Sequence, residues 1–234
     1  KTGSFKVRGA FNMVLRLMEE SEVHGIATHS SGNHAQAIAY VASKLGIPAF
    51  VVMPKTAPGV KVDAVRNYGA QIKFCEPTQE SRSETLNGWL KEIKATFIPP
   101  FNHPYIIEGQ STLTAEWLSQ EPQLKSLFIP IGGGGLIAGA LLAVKALKKN
   151  VEIIGAEPAG ADDAFRSLQT GKLITKQSPK SIADGLHVTL GDKTFPIIKS
   201  DLQKIVTLEE DEISSALLDI YTYLKQAVEP SAAV

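Results

Sequence analysis

From residue 5 to residue 18 the apolar positions are Val7, Phe11, Val14, Leu15 and Met18, a spacing that gathers them on one face of a helix. Ser4 stands where an N-cap belongs. The period then changes. Gly25-Ile26-Ala27-Thr28 is a short apolar run of the strand type. The polar turn Ser30-Ser31-Gly32-Asn33 follows it and opens an Ala-rich helix, which Gly46 and Pro48 stop near Leu45. The same reading predicts strands over 49–53 and 71–75, a short helix over 60–67 and a polar amphipathic helix over 81–94. Further on it predicts a helix over 112–118, a strand over 127–131, a four-glycine turn and a helix over 136–147. A strand over 151–156, a helix over 163–168, a strand over 205–208 and a last helix over 213–225 complete the pattern. Residues 172–195 are long and irregular, and read as a functional loop.

Strands alternate with helices through short turns, the signature of βαβ units and parallel sheets covered on both faces. The fold class expected is α/β, in two lobes, each an open, mostly parallel sheet flanked by helices. In such sheets ligands gather beyond the carboxyl ends of the strands. The two most chemically distinctive turns, 30–34 and 132–135, both follow a strand and open a helix. A lobe boundary is expected near Pro99-Pro100-Phe101-Asn102.

Composition narrows the function. The 234 residues exceed a single typical domain of about 150 and suffice to bury a real core. Lys and Arg total 24 and Asp and Glu total 24, so there is no basic excess for nucleic acid and no polybasic membrane patch. No apolar run reaches the length of a membrane span. The single cysteine, Cys75, cannot form an internal disulfide and points to a reducing, cytoplasmic compartment. The chain opens on Lys1-Thr2-Gly3-Ser4 and closes on Ser231-Ala232-Ala233-Val234; both ends read as cuts through structured sequence, and a longer protein is expected.

Four segments carry candidate chemistry. Gly132-Gly133-Gly134-Gly135 between a strand and a helix suits a phosphate, because glycines let backbone N–H groups approach an anion at a helix N-terminus. Gly133-x-Gly135-x-x-Ala138, with Glu157 after the next strand, also fits a loose dinucleotide fingerprint, so a Rossmann-type nucleotide protein is an alternative. The turn Ser30-Ser31-Gly32-Asn33-His34 offers hydroxyls, an amide and N–H groups to a carboxylate, or else is an ordinary cap. Lys6 is either a solvated first-turn lysine or, if buried, an amine of lowered pKa suited to a Schiff base. Glu157-Pro158-Ala159-Gly160-Ala161-Asp162-Asp163 could hold a hard cation through oxygens, or simply cap a helix with Asp162 or Asp163. The five histidines show no zinc-ligand spacing.

Together these segments resemble one family. Lys1-Thr2-Gly3-Ser4-Phe5-Lys6-Val7-Arg8-Gly9-Ala10 is similar to the lysine motif of the serine racemase and threonine/serine dehydratase family, pyridoxal-phosphate (PLP) enzymes of the tryptophan-synthase-β fold type. Ser30 to Gln36 resembles its substrate loop, and Gly132 to Gly135 its phosphate loop; Pro100-Phe101-Asn102, Gly109-Gln110 and Ile182-Ala183-Asp184-Gly185 match further blocks in order. The resemblance implies a large lobe of residues 1–22 and 102–234 interrupted by a small lobe of 23–101. It implies that Lys6 bonds covalently to PLP, that Phe5 lies against the ring and Asn33 bonds its phenolic oxygen, and that Gly132, Gly133, Gly134, Gly135 and Leu136 hold the phosphate. Ser30, Ser31, Asn33 and His34, helped by Arg82, would hold the substrate carboxylate. Lys6 and Ser31 would serve opposite faces of the substrate's α-carbon. Glu157, the Ala161 carbonyl and Asp163 would bind a divalent cation, Mg2+ or Ca2+; ATP would act as an effector, with Asn102 near its site.

The activity implied is interconversion of L- and D-serine, with β-elimination of serine or threonine to keto acid and ammonia, by a homodimer acting on free amino acids. Ser31 and the Ala161-Asp162-Asp163 run resemble the racemase branch, whereas Val188 stands where racemases carry serine. The alternatives are a dehydratase without racemase activity and an inactive homologue. The family also continues before the lysine motif and past Glu229-Pro230, so strands and cofactor contacts are expected outside this stretch.

Overall fold

The computed structural model describes residues 2–234, so Lys1 lies outside the described residues. The chain divides into two compact units, Lys1–Gly109 and Gln110–Val234.

In the first unit, α1 (Lys6–Glu20) leads to β1 (Ile26–His29), α2 (Asn33–Leu45), β2 (Ala49–Pro54), α3 (Gly59–Asn67), β3 (Gln71–Cys75), α4 (Gln79–Leu90) and β4 (Thr96–Phe97). The strands form one parallel sheet in the order β3-β2-β1-β4. β2 is buried along its whole length, as an inner parallel strand covered on both faces must be. α2 ends at Gly46 in the left-handed conformation (φ +70°), a position glycine occupies without steric cost. Its inner face of Ala35, Ile38, Ala39 and Ala42 packs with Ala10, Met13 and Val14 of α1 and with Val51 and Met53 of β2 in one core. Phe50, Val52 and Leu86 build a second cluster with Trp89 on the α4 side.

α5 (Pro104–Gln120) spans the boundary between the units. Within the first unit it crosses α1 at Gly109, where an added Cβ would lie 2.5 Å from the Gly9 Cα, so only glycine permits that approach. The second unit continues with β5 (Ser126–Pro130), α6 (Gly135–Ala146), β6 (Glu152–Pro158), α7 (Asp163–Thr170), α8 (Thr194–Asp201), β7 (Lys204–Leu208) and α9 (Glu210–Asp219). Its three strands form a second parallel sheet, β5-β6-β7. Ile129, Ile131, Ile137, Leu141, Ile153, Ile198 and Ile205 fill the core.

The α/β class and parallel sheets stand as expected. Several boundaries differ. β4 and α8 were not anticipated, α5 begins at Pro104 rather than at 112, and α9 gives way at Ile220 to a π-helical turn ending at Lys225 (φ +56°). Ser4 does not cap α1: Phe5 is the N-cap residue, no side chain bonds there, and the Ser4 hydroxyl is buried without a partner among the described residues.

Candidate active site

In the first unit the site gathers around the carboxyl end of β1. Lys6 lies at the start of α1, with its Nζ donating to the Pro100 carbonyl at 2.9 Å and 5.1 Å from the centre of the Phe5 ring. Pro100 continues the chain past β4, and that segment is pinned: the Ile98 amide donates to Ala27 at 2.8 Å, and the Ile98 carbonyl accepts from the Thr28 hydroxyl at 2.9 Å. The same carbonyl pairs with His34 Nε2 at 3.0 Å. A carbonyl only accepts, so Nε2 carries the proton and Nδ1 the lone pair. Nδ1 is buried and has no partner among the described residues. Burial, and then the charge of Lys6, push the His34 pKa down to about 3, so the ring is neutral.

The turn from β1 into α2 is closed by Ser30, whose hydroxyl accepts from the Gly32 amide at 3.2 Å. The N-cap of α2 is Gly32, which has no side chain to cap the helix, so the positive end of α2 faces this turn. A Cβ on Gly32 would lie 3.4 Å from the Lys61 Nζ, which places a cation beside this turn. Arg82, in α4, buries its Nε without a partner among the described residues. With burial as the larger cause, its charge lowers the pKa of His29, which ends β1 stacked on Phe97 at 5.6 Å. Thus Lys6, Phe5, Ser30, Ser31, Asn33, His34 and Arg82 all lie in one unit, around one strand end. Sequence reasoning missed the Pro100 carbonyl and Lys61; neither has a local signal.

In the second unit, Ile131 leads from β5 into Gly132–Gly135 and the helix α6, whose N-cap, Gly134, has φ +82° and no side-chain cap. A Cβ at Gly134 would meet Leu190 Cδ2 at 2.7 Å and Ile198 Cδ1 at 2.8 Å, and one at Gly132 would lie 3.1 Å from the Leu186 Cα. The loop is therefore bare backbone pressed against 186–198, with the positive end of α6 behind it. That fits a phosphate, which such N–H groups bind without a cation.

The acidic turn lies at the end of β6. Glu157 is fully buried. Its two oxygens accept from the amides of Ala164 (3.1 Å) and Phe165 (2.8 Å), so Glu157 caps α7 in place of Asp162 and Asp163. Asp162 is the N-cap by position, but its side chain pairs with Arg166 at 2.7 Å. The Asp163 carboxylate, also fully buried, accepts from Gln177 Nε2 at 2.7 Å and from the Leu190 amide at 2.9 Å. Burial, with the neighbouring charge of Asp163 adding to it, raises the Glu157 pKa to about 8; burial raises that of Asp163 to about 6. Ala161 ends a short 3-10 turn between the two acids. No group of three His, Cys, Asp or Glu able to hold a metal occurs among the described residues. The dinucleotide alternative loses its ribose acid, because Glu157 is spent on the α7 amides inside the protein.

A lysine amine at a helix start and a hydroxyl-rich turn on a parallel sheet in the first unit, and a glycine cradle on a helix N-terminus in the second, fit an α/β enzyme that uses pyridoxal phosphate. The family described as pyridoxal-phosphate dependent enzyme matches residues 1–234, and the chain belongs to it. It is 47% identical over 234 residues to a serine racemase of Arabidopsis thaliana, covering 100% of this chain and 71% of the relative. It is 44% identical over 232 residues to a β-hydroxyaspartate dehydratase of Paracoccus denitrificans (strain Pd 1222), covering 99% and 74%. The solved structure of maize serine racemase superimposes with a TM-score of 0.97 at 43% identity, covering 100% of this chain and 71% of that one.

Proposed function

We propose that this chain belongs to an enzyme that interconverts L- and D-serine and also eliminates water from serine or threonine, giving keto acid and ammonia. The observation that carries the reading is the corner at the end of β1, where the Lys6 amine, a neutral His34 and the Ser30–Asn33 turn meet in one unit. Its similarity to a serine racemase on one side and a dehydratase on the other supports both outcomes. A Rossmann-type protein is not favoured.

Pyridoxal phosphate, when bound, supplies an electron sink for the bond that breaks at the substrate's α-carbon. The chain's own residues do the rest. Lys6 holds the cofactor, and its amine, once free, takes or returns the α-proton on one face. Ser31 does the same on the other, so an exchange between the two inverts the centre. If the β-hydroxyl leaves before a proton returns to the α-carbon, it departs as water with the proton that Lys6 removed, and the outcome is elimination. Phe5 would lie along the ring, and Asn33 would donate to its phenolic oxygen. The backbone of Gly132, Gly133, Gly134, Gly135 and Leu136 would hold the phosphate. The substrate carboxylate is held by Ser30, Ser31, Asn33 and the backbone N–H of His34, since the ring offers only a lone pair there; Arg82 adds a positive charge nearby.

The same reading assigns a divalent cation, Mg2+ or Ca2+, to Glu157, the Ala161 carbonyl and Asp163. Two carboxylates whose proton affinity burial raises, that of Glu157 further through the charge of Asp163, are the donor set a cation relieves, and each oxygen keeps a lone pair beyond its amide bond. Two lobes are supported by the sheets, one within 23–101 and one within 102–234; the assignment of 1–22 to the second lobe rests on the family resemblance, since α1 packs with α2 in the first compact unit. ATP as an effector near Asn102 and a homodimer rest on the family resemblance, and a cytoplasmic setting on the single cysteine, Cys75. No helix among the described residues is long and apolar enough to cross a membrane.

The test is to incubate the full-length protein with L-serine and assay D-serine and pyruvate together. Both are expected. A protein that binds the cofactor yet makes neither is an inactive homologue, and pyruvate alone marks a dehydratase.

A further inference from the structure

The glycine loop is held from behind by a side chain far away in sequence. Thr194 opens α8 and is fully buried. Its hydroxyl donates to the Gly133 carbonyl at 2.8 Å, with the Gly191 carbonyl also within 3.2 Å, and accepts from the Gly191 amide at 3.0 Å. A trans peptide fixes its N–H antiparallel to its C=O. With the Gly133 carbonyl drawn to Thr194, the N–H of Gly134 is turned away from Thr194. The next carbonyl, that of Gly134, is committed to the Ala138 amide at 2.9 Å as the first bond of α6. Two successive peptide planes of the loop are thus set, one by a side chain and one by the helix.

Packing holds the same arrangement. The Thr194 Cβ lies 3.0 Å from where a Gly134 Cβ would be, beside Leu190 and Ile198. Leu190 is in turn tied by its amide to Asp163 at 2.9 Å. The φ of +82° at Gly134 is a conformation that needs neighbours to hold it, since glycine alone has the widest choice. We propose that Thr194 is a positioning residue for the cofactor phosphate, whose hydroxyl fixes the Gly133–Gly134 peptide so that the loop presents N–H groups, not a carbonyl, to the anion. Without that bond the peptide is free to flip, and a carbonyl dipole facing the phosphate repels it. The inference rests on the reading of 132–135 as the phosphate loop.

The experiment titrates the full-length apo-protein with pyridoxal phosphate and, separately, with pyridoxal, which lacks the phosphate, following absorbance of the bound form. Thr194→Val is expected to raise the Kd for pyridoxal phosphate about tenfold, the size of one buried hydrogen bond, and to leave that for pyridoxal nearly unchanged. Thr194→Ser, which keeps the hydroxyl, restores the affinity. If Thr194→Val does not fold, as judged by apo-protein melting, Thr194→Cys substitutes a weak thiol donor and the same difference is read. The proposal is overturned if both ligands weaken in step, or if the hydroxyl-free variant binds pyridoxal phosphate like the wild type. A wild type that binds the two ligands equally well instead removes the phosphate-loop reading.

Discussion

Two strand-to-helix corners, β1 into α2 and β5 into α6, share an outline and differ in material. The first is lined with hydroxyls, an amide and an imidazole, and has cations at Lys61 and Arg82 nearby. The second is backbone alone, with Gly134 as its N-cap. Backbone N–H groups can hold a charge but cannot move a proton at ordinary pH; hydroxyls and amines do both. A phosphate that stays bound through the reaction suits the second corner. A substrate that exchanges its α-proton needs the first.

The sharpest way to break that comparison is Lys6→Ala. It removes the amine proposed to carry the proton at the first corner and leaves the second intact. Turnover in both directions is expected to fall by at least about 1,000-fold, with loss of the visible absorbance of the covalently held cofactor. Persistence of that absorbance would mean that another amine carries it. Ser31→Ala is more selective. D-serine formation should fall by about 100-fold while pyruvate formation stays within a few-fold, because elimination needs a proton removed on one face only. Equal losses in both products would remove Ser31 from proton transfer.

Gly134→Ala attacks the other corner. The new Cβ would meet Leu190 and Ile198 under 3 Å, at a φ that L residues resist. Overpacking of this kind costs about 1–3 kcal/mol, a fall in Tm of roughly 3–10 °C, and cofactor affinity should weaken with it. An unchanged Tm would show that the loop relaxes freely and is not pressed on 186–198.

How much of this could be read from the chain depended on distance. The four glycines are contiguous and follow an apolar strand, so their purpose is visible locally. The bond from Thr194 to Gly133 joins residues 61 apart, and no periodicity reports it. α8 escaped notice because Pro196 sits in its first turn and a long irregular stretch precedes it, and β4 because two residues show no alternation. The acidic turn is legible in composition but not in role: Glu157 reaches forward past a 3-10 turn to cap α7, a task for which Asp162 and Asp163 stand nearer in sequence. Ser4 failed as a cap because Phe5 already occupies that position.

That capping role gives the next smaller test. Glu157→Gln keeps the shape but leaves one α7 amide facing an NH2 group instead of an oxygen. A loss of about 1–2 kcal/mol in urea unfolding is expected, together with loss of any effect of EDTA on Tm. A chelator effect that survives the substitution would take Glu157 out of the cation site.

The last effect is one of pH, spread over several pH units, and it belongs to the first corner only. His34 titrates at about 3 when folded and near 6.5 when unfolded. Between those values the unfolded chain binds a proton that the folded chain refuses, so stability falls as pH drops from about 6.5 toward 3 and is unaffected by this group above that window. The contribution approaches one proton, about 1.4 kcal/mol per pH unit in the middle of the window. His34→Gln, measured by urea unfolding from about pH 7, just above the window, down to about pH 4.5 inside it, should be less stable at the upper end through lost packing and yet show a shallower acid slope. Parallel slopes for the two proteins would mean that the ring gains a proton in the folded state. Its Nδ1 would then be a donor in this pH range, and the imidazole, not only the backbone N–H, would be available to the carboxylate.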